Sequence, residues 1–342
     1  MDQRWRVAAG CGLVAVIFLV VQLGALALVQ PFKAAGYQAV EDPSDPTNSV
    51  VYVLGILVAT AVMLLAFKYD ADQLIRGLIV LSGSWLALYV FQVVVPPLVT
   101  VQGINIVAVG LAVALGVGLL VHPEWYVVDA AGAVMGAAGA GLFGISFGLL
   151  PALVLLTVLA VYDAISVYGT EHMLTLASGV MDLKVPVVLV IPLSLSYSFL
   201  DDGGAGEAAA DGGGPATDEG DRATDADGGD GDEQADATDS TPLERDALFI
   251  GLGDAVIPTV LVASAAFFAP ESVATVLGTP LPAVTAMVGT FAGLAALLWM
   301  VLKGRAHAGL PLLNGGTIAG YLVGSLAAGI ALVDALGLGP YL

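Results

Sequence analysis

"LFIGLGDAVIPTVLVASAAFFA", residues 248–269, carries a single charge, Asp254, inside a run otherwise apolar enough to cross a bilayer. On insertion scales a carboxylate at the centre of a membrane helix costs about 2.5–3.5 kcal/mol. An ionisable residue kept at that depth is a functional candidate, and its partner has to be found.

The rest of the chain has the same character. Its 342 residues are 58% hydrophobic, and the mean hydropathy is +0.92. Long apolar runs recur without the short alternating segments of a membrane barrel. The expected fold is an all-α polytopic membrane protein with nine transmembrane helices. The spans fall near 7–30, 49–67, 75–98, 101–121, 126–146, 148–169, 247–269, 281–302 and 309–334. The first apolar run is too long for a signal peptide and reads as a retained span. The fifth carries Asp129 and many small residues, which suit close helix packing, and reads as an interior helix. The lone cysteine, Cys11, permits no intrachain disulfide.

Charge divides the chain into three parts: 1–200 with six spans, 201–246, and 247–342 with three spans. The net charge is −20, and residues 201–245 hold fifteen of the thirty acids. That segment is rich in Gly, Ala and Asp, lacks the apolar residues needed for a core, and is expected to be a disordered inner loop. The acidic balance excludes nucleic acid as a partner. With the N-terminus inside, Arg4, Arg6, Lys68, Arg76, Lys184, Arg222, Arg245, Lys303 and Arg305 fall on the inner side, and only Lys33 falls outside. The positive-inside bias therefore favours a cytoplasmic N-terminus and loop and an external C-terminus.

Asp163, in "VLLTVLAVYDAISVYG", lies about six residues from the inner end of span six, and Asp254 about eight from the inner start of span seven. At 1.5 Å per residue both sit roughly 10 Å below the inner surface. Two adjacent carboxylates in a low-dielectric site share one proton, which leaves one general base and one general acid. The base activates water for attack on a peptide carbonyl, and the acid protonates the carbonyl oxygen. Gly251 and Gly253, flanking Leu252 in "GLGD", clear side chains from the approach to Asp254. Asp129 is expected to bond a neighbouring helix and Asp334 to lie near the outer surface. His122, His172 and His307 show no metal-ligand spacing.

"YD" in one span, a long inner loop and "GLGD" in the next span resemble the presenilin and signal-peptide-peptidase family of intramembrane aspartyl proteases, in an archaeal, presenilin-like form. The resemblance implies nine spans, catalytic Asp163 and Asp254, a supporting Tyr162, and a substrate that is a transmembrane helical protein in the lipid bilayer. It implies no metal or cofactor, and it leaves homo-oligomerisation open. The family's third motif, Pro-Ala-Leu, has its counterpart in "GLPLLNGG" as Pro311, Leu312 and Leu313, with Leu312 replacing Ala. A literal Pro-Ala-Leu at 151–153 lies at the outer end of span six and reads as a helix start. "VPVVLVIP", after span six, is β-branched and Pro-bounded and is expected to be a strand whose edge could pair with an unwound substrate. Two other readings use the same aspartates: a proton-coupled transporter, and a prepilin-type peptidase. The absence of internal repeats and the three ordered motifs weigh against the first; the YD motif inside span six and the Pro311 motif weigh against the second.

Overall fold

A computed structural model describes residues 3–45, 47–69, 71–169, 187–193, 197–198, 247–303 and 308–339. The acidic segment 201–246, His172 and His307 lie outside the described residues.

Apolar runs become helices in the bilayer because each backbone N–H and C=O must be satisfied within its own segment. Nine such helices are described: α1 (Gln3–Ala34), α2 (Thr47–Lys68), α3 (Asp72–Val94), α4 (Ile106–Val121), α5 (Trp125–Ser146), α6 (Leu149–Gly169), α7 (Leu252–Phe267), α8 (Leu281–Val301) and α9 (Gly309–Ala327). A short α10 (Leu332–Ala335) follows. Seven of them (α1, α2, α3, α5, α6, α8 and α9) are long and apolar enough to cross a membrane, whereas α4 and α7 are shorter apolar helices.

Three antiparallel strand pairs join them: β1 (Thr100–Val101) with β2 (Ile104–Asn105), β3 (Val188–Pro192) with β4 (Ala247–Gly251), and β5 (Thr275–Val276) with β6 (Thr279–Pro280). The structure departs from the expected spans at three places, two of them at these strands. The fourth begins five residues late, because Gln102 and Gly103, at φ of 52° and 82°, turn the chain into a hairpin. Asn105 then caps α4, its side chain accepting from the N–H groups of Val107 and Ala108 at 3.1 and 3.4 Å. The seventh opens as strand β4 rather than helix. The ninth ends at Ala327, where Gly329 at φ 79° reverses the chain before α10.

Lipid supplies no hydrophobic drive for helices to associate, so close backbone contact must hold them. In α5 small residues provide it. A Cβ on Gly136 would come within 3.1–3.4 Å of Val256, Leu252 and Val21, and one on Gly144 would lie 2.3 Å from the Ala263 Cβ. α5 is therefore wedged between α1 and α7 as the interior helix. Between α8 and α9 the contact is closer still. A Cβ on Gly289 would lie 2.0 Å from the Gly316 carbonyl oxygen, and one on Gly293 would lie 2.4 Å from that of Leu312. Thr290 and Thr317 share a buried hydrogen bond of 2.8 Å across the same seam. α9 also packs against α6 and α7, where both singled-out aspartates lie.

Candidate active site

α9 starts without a side-chain cap of its own: Ala308 precedes it, and Pro311 occupies its third position. A proline costs nothing in a first turn, where its missing N–H would have had no helical acceptor. The Leu310 N–H remains, and it donates to Asp163 Oδ2 at 3.0 Å. Asp163, on α6, thus caps α9 from a neighbouring helix. One and a half turns further along α6, the Tyr168 hydroxyl accepts from the Ala308 N–H at 3.3 Å. In the other direction the buried Asn314 donates to the Leu156 carbonyl at 2.9 Å. These three bonds tie α6 and α9 together in antiparallel register.

Asp254 reaches the same place from α7. It is in the first turn, after Gly251 at the cap and Leu252 and Gly253 inside the helix. A Cβ added to Gly309 would lie 3.3 Å from Asp254 Oδ2 and 3.4 Å from both Cγ and Oδ1. Gly309 and Leu310 are consecutive, so the two carboxyl groups flank one stretch of backbone. Both are half-buried. Each also lies at a helix N-terminus, where unpaired N–H groups and the helix dipole favour negative charge.

The remaining predicted residues divide into supports and open positions. Leu313 is fully buried, and Leu252 is 9% exposed in the same apolar cluster as Leu312. Pro311 is half-buried. Gly251 and Gly253 are exposed, and a Cβ on either would meet only ordinary contacts at 3.7 Å. Their lack of side chains leaves the approach to Asp254 open without being needed for packing. Tyr162 is 43% exposed, turned outward from α6 beside Asp163.

Several features lie outside the motifs. Gly309 gains its meaning only from the contact of α9 with α7, and Tyr168 from that with α6. Pro258 lies inside α7, four residues after Asp254, so the Asp254 carbonyl has no helical N–H to accept from. That spacing is legible in the sequence. Asp129 corrects an expectation: its Oδ1 accepts from the Val190 N–H of β3 at 2.8 Å, a strand rather than a helix. β3 forms within the predicted stretch, but one edge pairs with β4 and the other bonds Asp129, so its edge is closed at Val190. Asp334 is exposed in α10. The literal Pro-Ala-Leu starts α6, where the Ser49 hydroxyl donates to the Pro151 carbonyl at 2.7 Å. It lies twelve residues before Asp163, roughly 18 Å away along the helix. His122 pairs with the Tyr126 hydroxyl at 2.9 Å.

Residues 15–330 match the family described as signal-peptide peptidase, presenilin aspartyl protease. The chain belongs to this family. A presenilin family intramembrane aspartate protease solved in space group C222 is similar at a TM-score of 0.61 and 31% identity, over 92% of this chain and 98% of that one. The same kind of protease in space group P2 gives 0.59 and 30%, over 92% and 96%. No curated protein matches. As a presenilin-family member the chain is an intramembrane aspartyl endopeptidase, a hydrolase set in the membrane by its apolar helices. Neither finding supports the transporter or the prepilin-type alternative.

Proposed function

We propose that this intramembrane protease cleaves transmembrane helical substrates with Asp163 and Asp254 as an acid–base pair. The observation that carries the assignment is the placing of both carboxyl groups against the Gly309–Leu310 backbone, each at the start of an apolar helix. The ionised member takes a proton from water. The hydroxide so formed attacks the scissile carbonyl carbon, while the protonated member donates to the carbonyl oxygen. The tetrahedral intermediate then collapses: one of its hydroxyls returns a proton to the group that acted as acid, the C–N bond breaks, and the leaving amine takes the proton that the base received. Because the pair titrates together, the roles belong to the pair rather than to either residue.

Supporting roles follow from position. Pro311, Leu312 and Leu313 hold the start of α9 beside the carboxylates. Leu252 anchors the start of α7 in the core. Gly251 and Gly253 leave the substrate's path open, and Tyr162 faces it. The two shorter helices also cross, giving nine spans with the N-terminus and the acidic loop inside and the C-terminus outside. α7 is short because β4 covers the first part of its crossing in extended form, at about 3.3 Å per residue instead of 1.5 Å. Substrates with an external N-terminus and an internal C-terminus are favoured.

Cleavage of a reporter transmembrane substrate by the wild type, Asp163→Ala and Asp254→Ala in liposomes tests the assignment. Both variants are expected to be inactive while keeping wild-type thermal stability within about 1 kcal/mol. Normal cleavage by either removes that residue from the chemistry. A substrate cut only in the reversed orientation overturns the topology.

A further inference from the structure

Asp129 lies on α5, outside the helices that carry the two carboxylates of the site, and is 7% exposed. Its Oδ2 is buried and has no hydrogen-bond partner among the described residues, while Oδ1 takes the Val190 N–H at 2.8 Å. A buried aspartate in an interior helix of small and apolar residues is costly. Among the described residues its one bond goes to β3, the strand paired with β4.

The register explains why β3 needs that bond. Leu189 faces Ile250 and Ile191 faces Leu248 in the β3–β4 pair, and the Leu252 N–H donates to the Val187 carbonyl at 2.8 Å. The odd-numbered residues of β3 therefore turn their backbone groups toward β4. In an antiparallel ladder the residue between them points the other way. The Val190 N–H so exposed would go unpaired in an apolar interior, and Asp129 receives it. Beyond the strand's end, Arg6 Nε donates to the Leu193 carbonyl at 2.6 Å. β3 is thus held by α5 on one edge and by β4 on the other. β4 ends at Gly251, the cap of α7, with Asp254 in the turn that follows.

We propose that Asp129 is a positioning residue for the protease. It clamps β3 to α5, β3 sets the register of β4, and β4 fixes where α7 begins and so where the Asp254 carboxyl lies. This rests on the assignment of Asp254 to the chemistry. The clamp needs an acceptor oxygen and no charge, so Asp129→Asn, which keeps Oδ1, preserves it, and Asp129→Ala removes it.

The test uses the full chain in liposomes with a transmembrane reporter substrate. Hydrogen exchange is followed in parallel on peptides covering 187–193 and 247–253. Asp129→Ala is expected to lower kcat about tenfold with KM within about twofold, because a small displacement of a reacting group acts on the chemical step. Exchange should rise in the two strands and not in α8 or α9. Asp129→Asn should restore both readouts. Val190→Pro deletes the donor from the other side without touching a bond to β4. It should match Asp129→Ala, and the double variant should be no worse than either. Wild-type kcat in Asp129→Ala, failure of Asp129→Asn to rescue, or exchange rising uniformly along the chain overturns the clamp. Exchange does not depend on the chemistry, so loss of the Asp254 assignment through an active Asp254→Ala would be seen separately.

Discussion

Replacing Gly309 by Ala should slow cleavage about fourfold while leaving the fold intact. The new Cβ would meet Asp254 Oδ2 at 3.3 Å and its Cγ and Oδ1 at 3.4 Å. Non-bonded heavy atoms sit best at about 3.5–4.0 Å, so the carboxyl must retreat by a few tenths of an ångström, about 0.3 Å. A misplacement of about 1 Å can cost ~100-fold in rate, so on a logarithmic scale about 0.3 Å costs ~4-fold. The loss should appear in kcat, because the substrate's path past Gly251 and Gly253 is unchanged. Gly309→Val, with its branched Cβ, should cost more than Gly309→Ala. Gly315 lies in the same helix with nothing within 4 Å of its Cβ position, and Gly315→Ala is the matched control. It should leave kcat unchanged and stabilise α9 by about 0.5 kcal/mol. Steady-state cleavage of a fluorogenic transmembrane peptide in liposomes, with thermal unfolding of each variant, gives both quantities. Wild-type kcat in both Gly309→Ala and Gly309→Val would refute the contact between residue 309 and the Asp254 carboxyl.

Other consequences can be read from the same contacts. Gly289→Ala or Gly316→Ala sets a Cβ 2.0 or 2.3 Å from the facing carbonyl oxygen; each should destabilise the α8–α9 seam by about 2 kcal/mol or more, seen as a lower unfolding midpoint. Pro258→Ala supplies the N–H that the Asp254 carbonyl lacks, so it should raise thermal stability and lower kcat together; higher stability with unchanged kcat would remove Pro258 from any role at the site. Cleavage should follow a bell-shaped pH profile in which Asp163→Asn and Asp254→Asn are both inactive, and a profile with a single limb would contradict a shared proton. Outside the membrane spans, Asp45 accepts the Thr47 N–H at 2.8 Å at the start of α2. The hydrogen bonds from Thr47 lower its pKa below the ordinary value. A lowered carboxyl pKa means that this hydrogen bonding is complete above the ordinary carboxylate range and is lost as acid protonates Asp45. An NMR titration should place its midpoint below that of a free aspartate.

The aspartates were legible in the sequence because a charge in an apolar run stands out against its surroundings. The helices were legible because the bilayer allows an apolar run little other than a helix. What hydropathy could not show was where such a run is extended. Ala247–Gly251 is as apolar as the helix that follows it, and strand and helix differ there only through pairing with Val188–Pro192 across the long acidic segment. Asp129 stood out as a buried charge, but its partner is a backbone N–H, which leaves no residue signature. Gly309 sits two residues before the Pro311 motif, yet its closeness to Asp254 exists only once α9 is seated on α6 and α7. The glycines of α8 and α9 lie four residues apart, at 289 and 293 and at 316, 320 and 324, a spacing that marks a close-packed helix face.

The magnitudes also say how many charges the site can hold. A carboxylate at mid-helix costs about 2.5–3.5 kcal/mol on insertion scales. A helix N-terminus returns about 0.3–1 kcal/mol to an exposed carboxylate and up to ~2 kcal/mol in a favourable, partly buried one. The two helix starts here, that of α7 beneath Asp254 and that of α9 beside Asp163, together offset roughly one ionised carboxyl group. They do not offset two, and a second charge beside the first adds repulsion in a poorly screened setting. One ionised and one protonated carboxyl is therefore the state the fold best supports, and under the proposed assignment it is the state from which one group takes a proton from water while the other donates to the substrate. On this account the helix starts are part of the catalyst. Moving either aspartate a full turn into its helix would keep the carboxyl in the membrane but take it away from the N–H groups that make its charge tolerable.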